Sequence, residues 1–403
     1  MWFEKKRIEG KRFALVLIGS YKLRVCFVDF LNTKVRILWY SEKRQETSLF
    51  SNGQCINLPW LASNISETIW DLEKKLGVYI KDIICNYPFW EEYLSISDTN
   101  HPRKKPESPI NEAELYKLLI KAEKICLVKW ASEIEKLYGL KNSELDIILS
   151  RVTHIHIDGK KTEKILGKTW EEIKIKLINI TIPRLQNKTL KDLLKYSDKR
   201  VSKIVPIEYA LWKLYPYKDI LIIDVGATQT SLTLKKWWSV SAITKFPVWI
   251  HQLLELIAKN HSKTRAEILR DLWSNNYSLE KKYFSNIWGQ AYGMSLAELL
   301  KQDVCPRHFA LTWWWGNNIF LRDEILYFPY HYYNISIPLE REIVGEDISP
   351  ILSNIQDLQL KDLEKMTLSM YALIEETRRY LNAESNAIGV SLEQALKKLW
   401  YEV

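Results

Sequence analysis

Residues 222–234 read IIDVGATQTSLTL. An apolar strand ends in an acid, Asp224. Gly226 follows, then the small and hydroxylated Ala227, Thr228 and Thr230, and alternation resumes through Leu232 and Leu234. This pattern writes a strand–turn–strand cradle for a phosphate. Amide N–H groups in a tight turn hold an anion, a glycine lets it approach closely, and an acid at the strand end holds a metal ion or its water. The question is whether the cradle still holds a nucleotide or only keeps its shape.

Working outward, 218–247 (KDILIIDVGATQTSLTLKKWWSVSAITKFP) reads as a three-strand meander. Residues 12–45 (RFALVLIGSYKLRVCFVDFLNTKVRILWYSEKRQ) read the same way. There a first strand ends near Ile18, Gly19-Ser20 turns it, a second runs from Leu23 to Phe30, and Asn32-Thr33 leads into a third over Lys34–Ser41. Two such meanders about two hundred residues apart imply an internal duplication. After the first come a helix over 58–76 with a stop at Gly77 and a short buried strand in 81–88. From Glu91 the character changes. SDTNHPRKKPESP (97–109) reads as a polar, proline-bearing loop, 110–139 as a long amphipathic helix, and 144–183 as a strand, an Asp158-Gly159 turn and two further strands. A helix on a small antiparallel sheet makes a module of about ninety residues, inserted into the first half. Helical patterns in 249–260, 265–273 and 286–302, a strand in 306–317 (PRHFALTWWWGN), a late helix over 362–382 and a terminal helix over 391–403 complete the chain.

At 403 residues the chain is long enough for several domains and a sizeable core. It is 47% hydrophobic and 27% charged, ordinary for a folded soluble protein. Its 13 glycines are about half the usual share, which matters for a fold that builds phosphate loops from glycine. The net charge of +9 is spread along the chain and reads as a lysine-rich solvated surface; nucleic acid or anionic lipid is the other reading. Cys26, Cys55, Cys85, Cys126 and Cys305 are odd in number and contain no CxxC, so neither a disulfide framework nor a zinc site is implied, and a reducing, cytosolic compartment fits. No apolar run reaches the roughly 18 residues of a spanning helix, and MWFEKKRIEGKR at the start lacks the apolar stretch of a signal peptide.

The order of these segments resembles the actin-like ATPases, within them the FtsA/PilM branch. The matching segments are VLIGSYKLRVCFV (16–28), VTHIHIDGKK (152–161), IEYALWKL (207–214), the opening IDVGATQTSLTL, PRHFALTWWWGN, and MTLSMYALIEE (366–376). The resemblance covers roughly residues 12–380. It implies an α/β fold of actin-like (ASKHA, ribonuclease H-like) type in two halves, with an inserted SHS2-type α+β subdomain. The implied division is 1–90 and 186–215 for the first half, 91–185 for the insertion, 216–382 for the second half and 383–403 for a C-terminal tail helix. It also implies ATP and magnesium as the group these loops would take, with retained binding left open. Gly19 and Ser20 would lie in the first phosphate loop, Asp224, Gly226, Ala227, Thr228 and Thr230 in the second, and Gly316 in the adenosine turn, with Asp224 the one metal ligand.

The departures from the family pattern decide the chemistry. The first loop of the family carries an acid two residues before its glycine; here Leu17 stands there, and apolar packing cannot replace a metal ligand. Pro247-Val248 occupy the place of a glycine pair, and Trp313-Trp314-Trp315 precede Gly316 where paired glycines let the backbone pass under adenine. The expectation is a kept shape, lost hydrolysis and a cleft filled by indoles. The function implied is a cytoplasmic scaffold, peripheral to the bacterial inner membrane, for type IV pilus assembly or cell division. Its partner would be a membrane protein's cytoplasmic tail or a tubulin-like division filament, with self-association open. The alternative is an active, polymerising actin-like ATPase.

Other features read more plainly. His154 and His156 alternate on one strand face with no third ligand near in sequence, so a polar face outweighs a metal site. Arg103, Lys104 and Lys105 read as a solvated loop, with contact to phosphate or lipid the other reading, and Trp237-Trp238 as an exposed contact at a hairpin. No GxSxG surrounds Ser20. TWWWGN lacks the interleaved basic stripe of a nucleic-acid platform, so no nucleic-acid partner is expected. The terminal helix places Leu392, Leu396, Leu399, Trp400 and Val403 broadly on one side, flanked by Lys397 and Lys398; it either touches the inner-membrane surface or packs back on the body.

Overall fold

A computed structural model of the chain describes residues 11–31, 34–46, 49–51, 54–88, 91–162, 165–215, 217–226, 229–236, 239–246, 250–264, 267–268, 270–271, 285–300, 306, 308–313, 341–342, 355–356 and 368–384. Strands β1 (Lys11–Ile18), β2 (Lys22–Leu31) and β3 (Lys34–Arg44) form an antiparallel meander turned at Gly19-Ser20. A short hairpin, β4 (Phe50–Ser51) and β5 (Gln54–Cys55), leads to helix α1 (Leu58–Leu76). Asn57 caps that helix by accepting the Trp60 N–H at 3.1 Å, and Pro59 sits in the first turn, where its missing N–H costs nothing. Leu61, Ile65, Ile69 and Leu72 recur at helical spacing and are its buried stripe. Strand β6 (Asp82–Asn86) then runs parallel to β1.

The inserted segment builds its own sheet. Strand β7 (Tyr93–Pro102), helix α2 (Glu112–Tyr138), β8 (Leu145–Ile157), β9 (Lys160–Lys161) and β10 (Glu172–Pro183) give the strand order β7-β10-β8-β9, with α2 packed on one face. The loop expected over 97–109 is a strand as far as Pro102. Ser95, Ser97, Thr99 and His101 are buried while Asp98 and Asn100 are exposed, so the alternation is present but its inner face is polar. Arg103 is likewise no solvated loop residue. Its guanidinium donates twice to Glu114 in the first turn of α2, at 2.7 and 2.6 Å, and lies over the Trp170 ring.

Helix α3 (Arg184–Tyr196) and strand β11 (Arg200–Val205), parallel to β6, return the chain to the first sheet; α4 (Ile207–Leu214) leaves it. The second half then repeats the plan of the first. Strands β12 (Ile220–Val225), β13 (Thr230–Lys236) and β14 (Ser239–Phe246) make the second meander, followed by α5 (Ile250–His261), α6 (Gln290–Leu300) and β15 (His308–Trp313), parallel to β12. Short strands β16 (Arg341–Glu342) and β17 (Ile355–Gln356) and helix α7 (Leu368–Glu384) close the described chain. The first sheet is ordered β11-β6-β1-β2-β3-β17 and the second β14-β13-β12-β15-β16. Each is an antiparallel meander extended by parallel strands beside its first strand, and the first sheet also takes β17 parallel to β3 at its other edge.

Alternation along β1 divides its side chains between two cores. Ala14, Val16 and Ile18 pack with α1 and α3; Phe13, Leu15 and Leu17 pack with α4 and α7. The second of these cores also holds Ile220, Ile222 and Ala310 of the other sheet, so α4 and α7 form the shared layer between the halves. That layer sets the two meander turns relative to each other.

Candidate functional site

The first turn is held from inside the protein. Its Gly19 N–H donates to the Lys22 carbonyl at 3.1 Å. Asn86, at the end of β6, clamps the strand just before it: the Ile18 N–H donates to Asn86 Oδ1 at 2.6 Å and Asn86 Nδ2 donates to the Ile18 carbonyl at 3.0 Å. Gln45 donates its side-chain amide to the Gly19 carbonyl. Two amides that a phosphate cradle would offer to its ligand thus donate within the protein. Leu17 packs in the core between the halves beside Cys26 and Val28, so hydrocarbon, and no carboxylate that could hold a metal ion, stands two residues before Gly19. Positive charge near the turn is also tied down. Arg24, opposite Leu17 in register and buried, donates to Glu42 at 3.0 Å, and Lys22 and Tyr40 donate to the same carboxylate. Burial alone would raise Glu42, but the bonds from Lys22 and Tyr40 and the charge of Arg24 hold it below the usual carboxylate range.

The second turn is tighter. The Gly226 N–H donates to the Gln229 carbonyl at 2.8 Å, and a Cβ at Gly226 would lie 2.8 Å from that same oxygen. Backbone stands on both sides of this contact, so only glycine closes the turn. Asp224 is partly buried at the end of β12, with Ser231 opposite on one side and Thr312 on the other. Its negative charge, after burial, raises the phenol of the buried Tyr215. Thr230 is fully buried and its Oγ1 accepts the Trp288 indole N–H at 3.1 Å; that indole stacks on Tyr292 with ring centres 4.8 Å apart. The Thr230 hydroxyl thus bonds to the turn that precedes α6. Ser20 is half-buried beside Gly19. Register places Trp313 beside Val225, so the sheet brings the acid–glycine turn and the start of the tryptophan run to one edge. Ala227, Thr228, Trp237, Trp238, Pro247, Val248, Trp314, Trp315, Gly316 and the terminal segment from 385 onward lie outside the described residues.

Two buried ion clusters, which sequence reading did not find, fasten the shared layer. Lys245 of β14 meets Glu92 at 2.9 Å and Glu208 of α4 at 2.8 Å, joining the second half, the insertion and the middle layer. Burial pushes Glu92 up to about 8 against the pull of Lys245, while Glu208 stays below its ordinary value and the Lys245 ammonium is held above its own by the two carboxyls. In the second cluster Glu376 of α7 meets Arg151 of β8 at 2.9 Å and Lys213 of α4 at 2.9 Å. Burial pushes Lys213 down to about 7 even so. A third lysine, Lys235, donates to the Tyr215 carbonyl at 2.7 Å and the Trp212 carbonyl at 3.3 Å, supplying the end of α4 with a cation where its carbonyls point. These pairs tie the second half and the insertion to the shared helical layer.

His154 and His156 lie on β8 with ring centres 6.2 Å apart. Among the described residues no group of three His, Cys, Asp or Glu side chains is placed to hold a metal ion, and no helix is long and apolar enough to cross a membrane.

No protein-family model matches the chain, and none of the curated proteins compared with it is a match. Solved structures do match in shape. The chain is similar to the PilM-PilN type IV pilus biogenesis complex with a TM-score of 0.60 and 13% identity, over 92% of this chain and 97% of that one. It is also similar to the ethanolamine utilization protein EutJ from Carboxydothermus hydrogenoformans, with a TM-score of 0.46 and 9% identity over 89% of each chain. The cytoplasmic domain of EpsL, an inner membrane component of the type II secretion system of Vibrio cholerae, matches with a TM-score of 0.35 and 8% identity over 91% and 94%. With two sheets of one topology, a shared helical layer and an inserted α+β module, the chain has the actin-like two-half α/β fold.

Proposed function

We propose that the chain is a PilM-like cytoplasmic scaffold at the bacterial inner membrane, which holds a membrane protein's tail for pilus-type assembly and does not turn over ATP. The observation that carries this reading is the end-to-end likeness to the PilM-PilN type IV pilus biogenesis complex, which takes in both halves and the insertion. The turns support the second part. Phosphoryl transfer depends on a placed metal and positioned charge; here Leu17 is packed in the core, the Gly19 amide is bonded within its own turn, and the Thr230 hydroxyl is bonded to Trp288. A scaffold needs a rigid body more than a closing cleft, and the two buried ion clusters supply one. A division role of FtsA type would keep the same body and take a tubulin-like filament as partner.

The test uses the purified full chain. Phosphate release with magnesium and ATP is measured first, then calorimetric titration with peptides matching the cytoplasmic tails of single-span membrane proteins encoded beside its gene. No turnover above buffer, with saturable binding of one tail whether or not ATP is present, is the expected outcome. Magnesium-dependent turnover abolished by Asp224→Asn would overturn the reading, as would failure of every tail to bind.

A further inference from the structure

Helix α2 covers the inserted sheet on one side and faces solvent on the other. Its buried stripe is Ala122, Glu123, Cys126, Leu127, Trp130 and Ile134. At 100° per residue the opposite stripe has Lys117, Lys121, Lys124, Ile125, Val128 and Ser132, all exposed, along its middle, with Glu114, which is paired with Arg103, and the exposed Glu135 at its two ends. Ile125 and Val128 each keep 45% of their surface in water. Some exposed lysines meet carboxylates, as Lys22 meets Glu42, Lys43 meets Glu67 and Lys174 meets Asp98, while others, Lys75, Lys188 and Lys195 among them, stand in solvent. Within α2, Lys129 meets Glu133 at 3.9 Å. No ion pair joins Lys117, Lys121 or Lys124 to a described residue. Between Leu115 and Ser132 the helix has one acid, Glu123, and it points inward, where Ser150 donates to it at 3.3 Å. Spacings of four (117 to 121) and three (121 to 124) set these ammonium groups against one another, an arrangement that weakens an isolated helix.

We propose that this stripe of α2 docks on an anionic lipid surface. Three unpaired lysines call for a negative counterpart, and the two branched aliphatics lie in line with them on the helix surface. A lysine stem lies along such apolar surface while its ammonium reaches outward, the arrangement by which amphipathic helices sit at headgroup level. Shape favours a membrane over an acidic peptide. α2 is the lone helix on its face of the inserted sheet among the described residues, so the stripe is a ridge with no neighbouring helix to make a groove. A ridge meets a plane, and a peptide needs a trough. The proposal rests on the membrane location in the reading of function above, but the stripe owes nothing to the nucleotide turns or to a partner's tail, so vesicle binding and tail binding can fail separately.

The experiment is co-sedimentation of the full chain with vesicles of phosphatidylcholine alone or with about one third phosphatidylglycerol, at low and at physiological salt. Binding is expected only with the anionic lipid, and should fall as salt rises. Lys117→Gln, Lys121→Gln and Lys124→Gln together should weaken it at least tenfold while the melting temperature stays within a few degrees, because all three side chains are solvated. Ile125→Ser with Val128→Ser should weaken it several-fold with the lysines in place. Wild-type binding that ignores lipid charge, or a triple variant that binds as well as wild type while Leu396→Ser with Trp400→Ser releases the protein, would overturn the proposal. So would lysine-dependent capture of a poly-glutamate peptide by a chain that leaves anionic vesicles in the supernatant.

Discussion

Glu123 is a buried carboxyl with no cation against it. It lies on the buried face of α2, 1% exposed, with one bond from Ser150, and its Oε2 has no hydrogen-bond partner. Burial pushes its pKa up to about 8, opposed only by the Ser150 bond. In the unfolded chain the same group ionises near 4.5. Its folded pKa is therefore the higher one, and folding takes up a proton between these values. The stability it allows is complete below pH 4.5 and is lost progressively as pH rises toward 8. Each unit of pH within that window costs about 1.4 kcal/mol. Between pH 4.5 and 7 the native state should lose about 3 kcal/mol through this one group. Glu123→Gln keeps the shape and cannot ionise. Near pH 4.5 the variant and the wild type should unfold at closely similar urea concentrations, followed by tryptophan fluorescence. At pH 7 the variant should be the more stable by about 3 kcal/mol. Taking the difference between the two proteins removes every other titrating group, Glu92 included. A difference that stays constant from pH 4.5 to 8 would refute the reasoning, because it would mean that the folded protein holds Glu123 ionised at no extra cost.

Gly226→Ala forces a Cβ to within 2.8 Å of the Gln229 carbonyl and should cost about 1–3 kcal/mol in urea unfolding, with no ligand present; an unchanged midpoint would show that the turn is not held closed. Asn86→Ala removes both bonds that clamp Ile18 and should cost about 1–3 kcal/mol by the same measurement. Lys245→Met leaves Glu92 and Glu208 together in the interior and should cost about 3–5 kcal/mol at pH 7, part of it recovered when Glu92→Gln and Glu208→Gln are added; full stability in Lys245→Met alone would rule the cluster out as a fastening.

How far the fold could be read in advance depended on which face of each strand was apolar. β1, β2, β12 and β13 are apolar on one or both faces, so their alternation and the Gly19 and Gly226 turns stood out, and with them the repeat of the two halves. β7 runs YLSISDTNHP and has its polar residues inward: Ser95 and Ser97 bond to each other at 2.9 Å, and His101 bonds to Thr99 at 2.9 Å. A period of two was present there, yet a reading that equates buried with apolar takes it for a loop. Thr230 failed in another way. A hydroxyl beside a glycine turn is the same letter whether it awaits a phosphate or bonds to an indole 58 residues further on, and only the fold places Trp288 against it. The ion clusters were beyond reach for the same reason. Lys245 stands 153 residues from Glu92, and Glu376 stands 163 from Lys213, so nothing local marks either pair.

What joins these cases is that the polar residues of this chain have been turned to internal use. The middle layer is fastened by Lys245 with two carboxyls and by Glu376 with two cations, and α4 ends on Lys235. That layer packs against both sheets, so any turning of one half against the other would have to shift it. Breaking a buried pair by moving one partner away leaves a charge without its counterpart, a cost of several kcal/mol per pair. A nucleotide could open and close this cleft only by binding more tightly to one state than the other by at least that amount. The first turn offers it little with which to do so, since Leu17 presents no acid, the Gly19 amide is bonded and Lys22 and Arg24 are both engaged by Glu42. The fastened middle layer and the apolar Leu17 thus both fit the scaffold proposed above better than a cleft that opens and closes on a nucleotide.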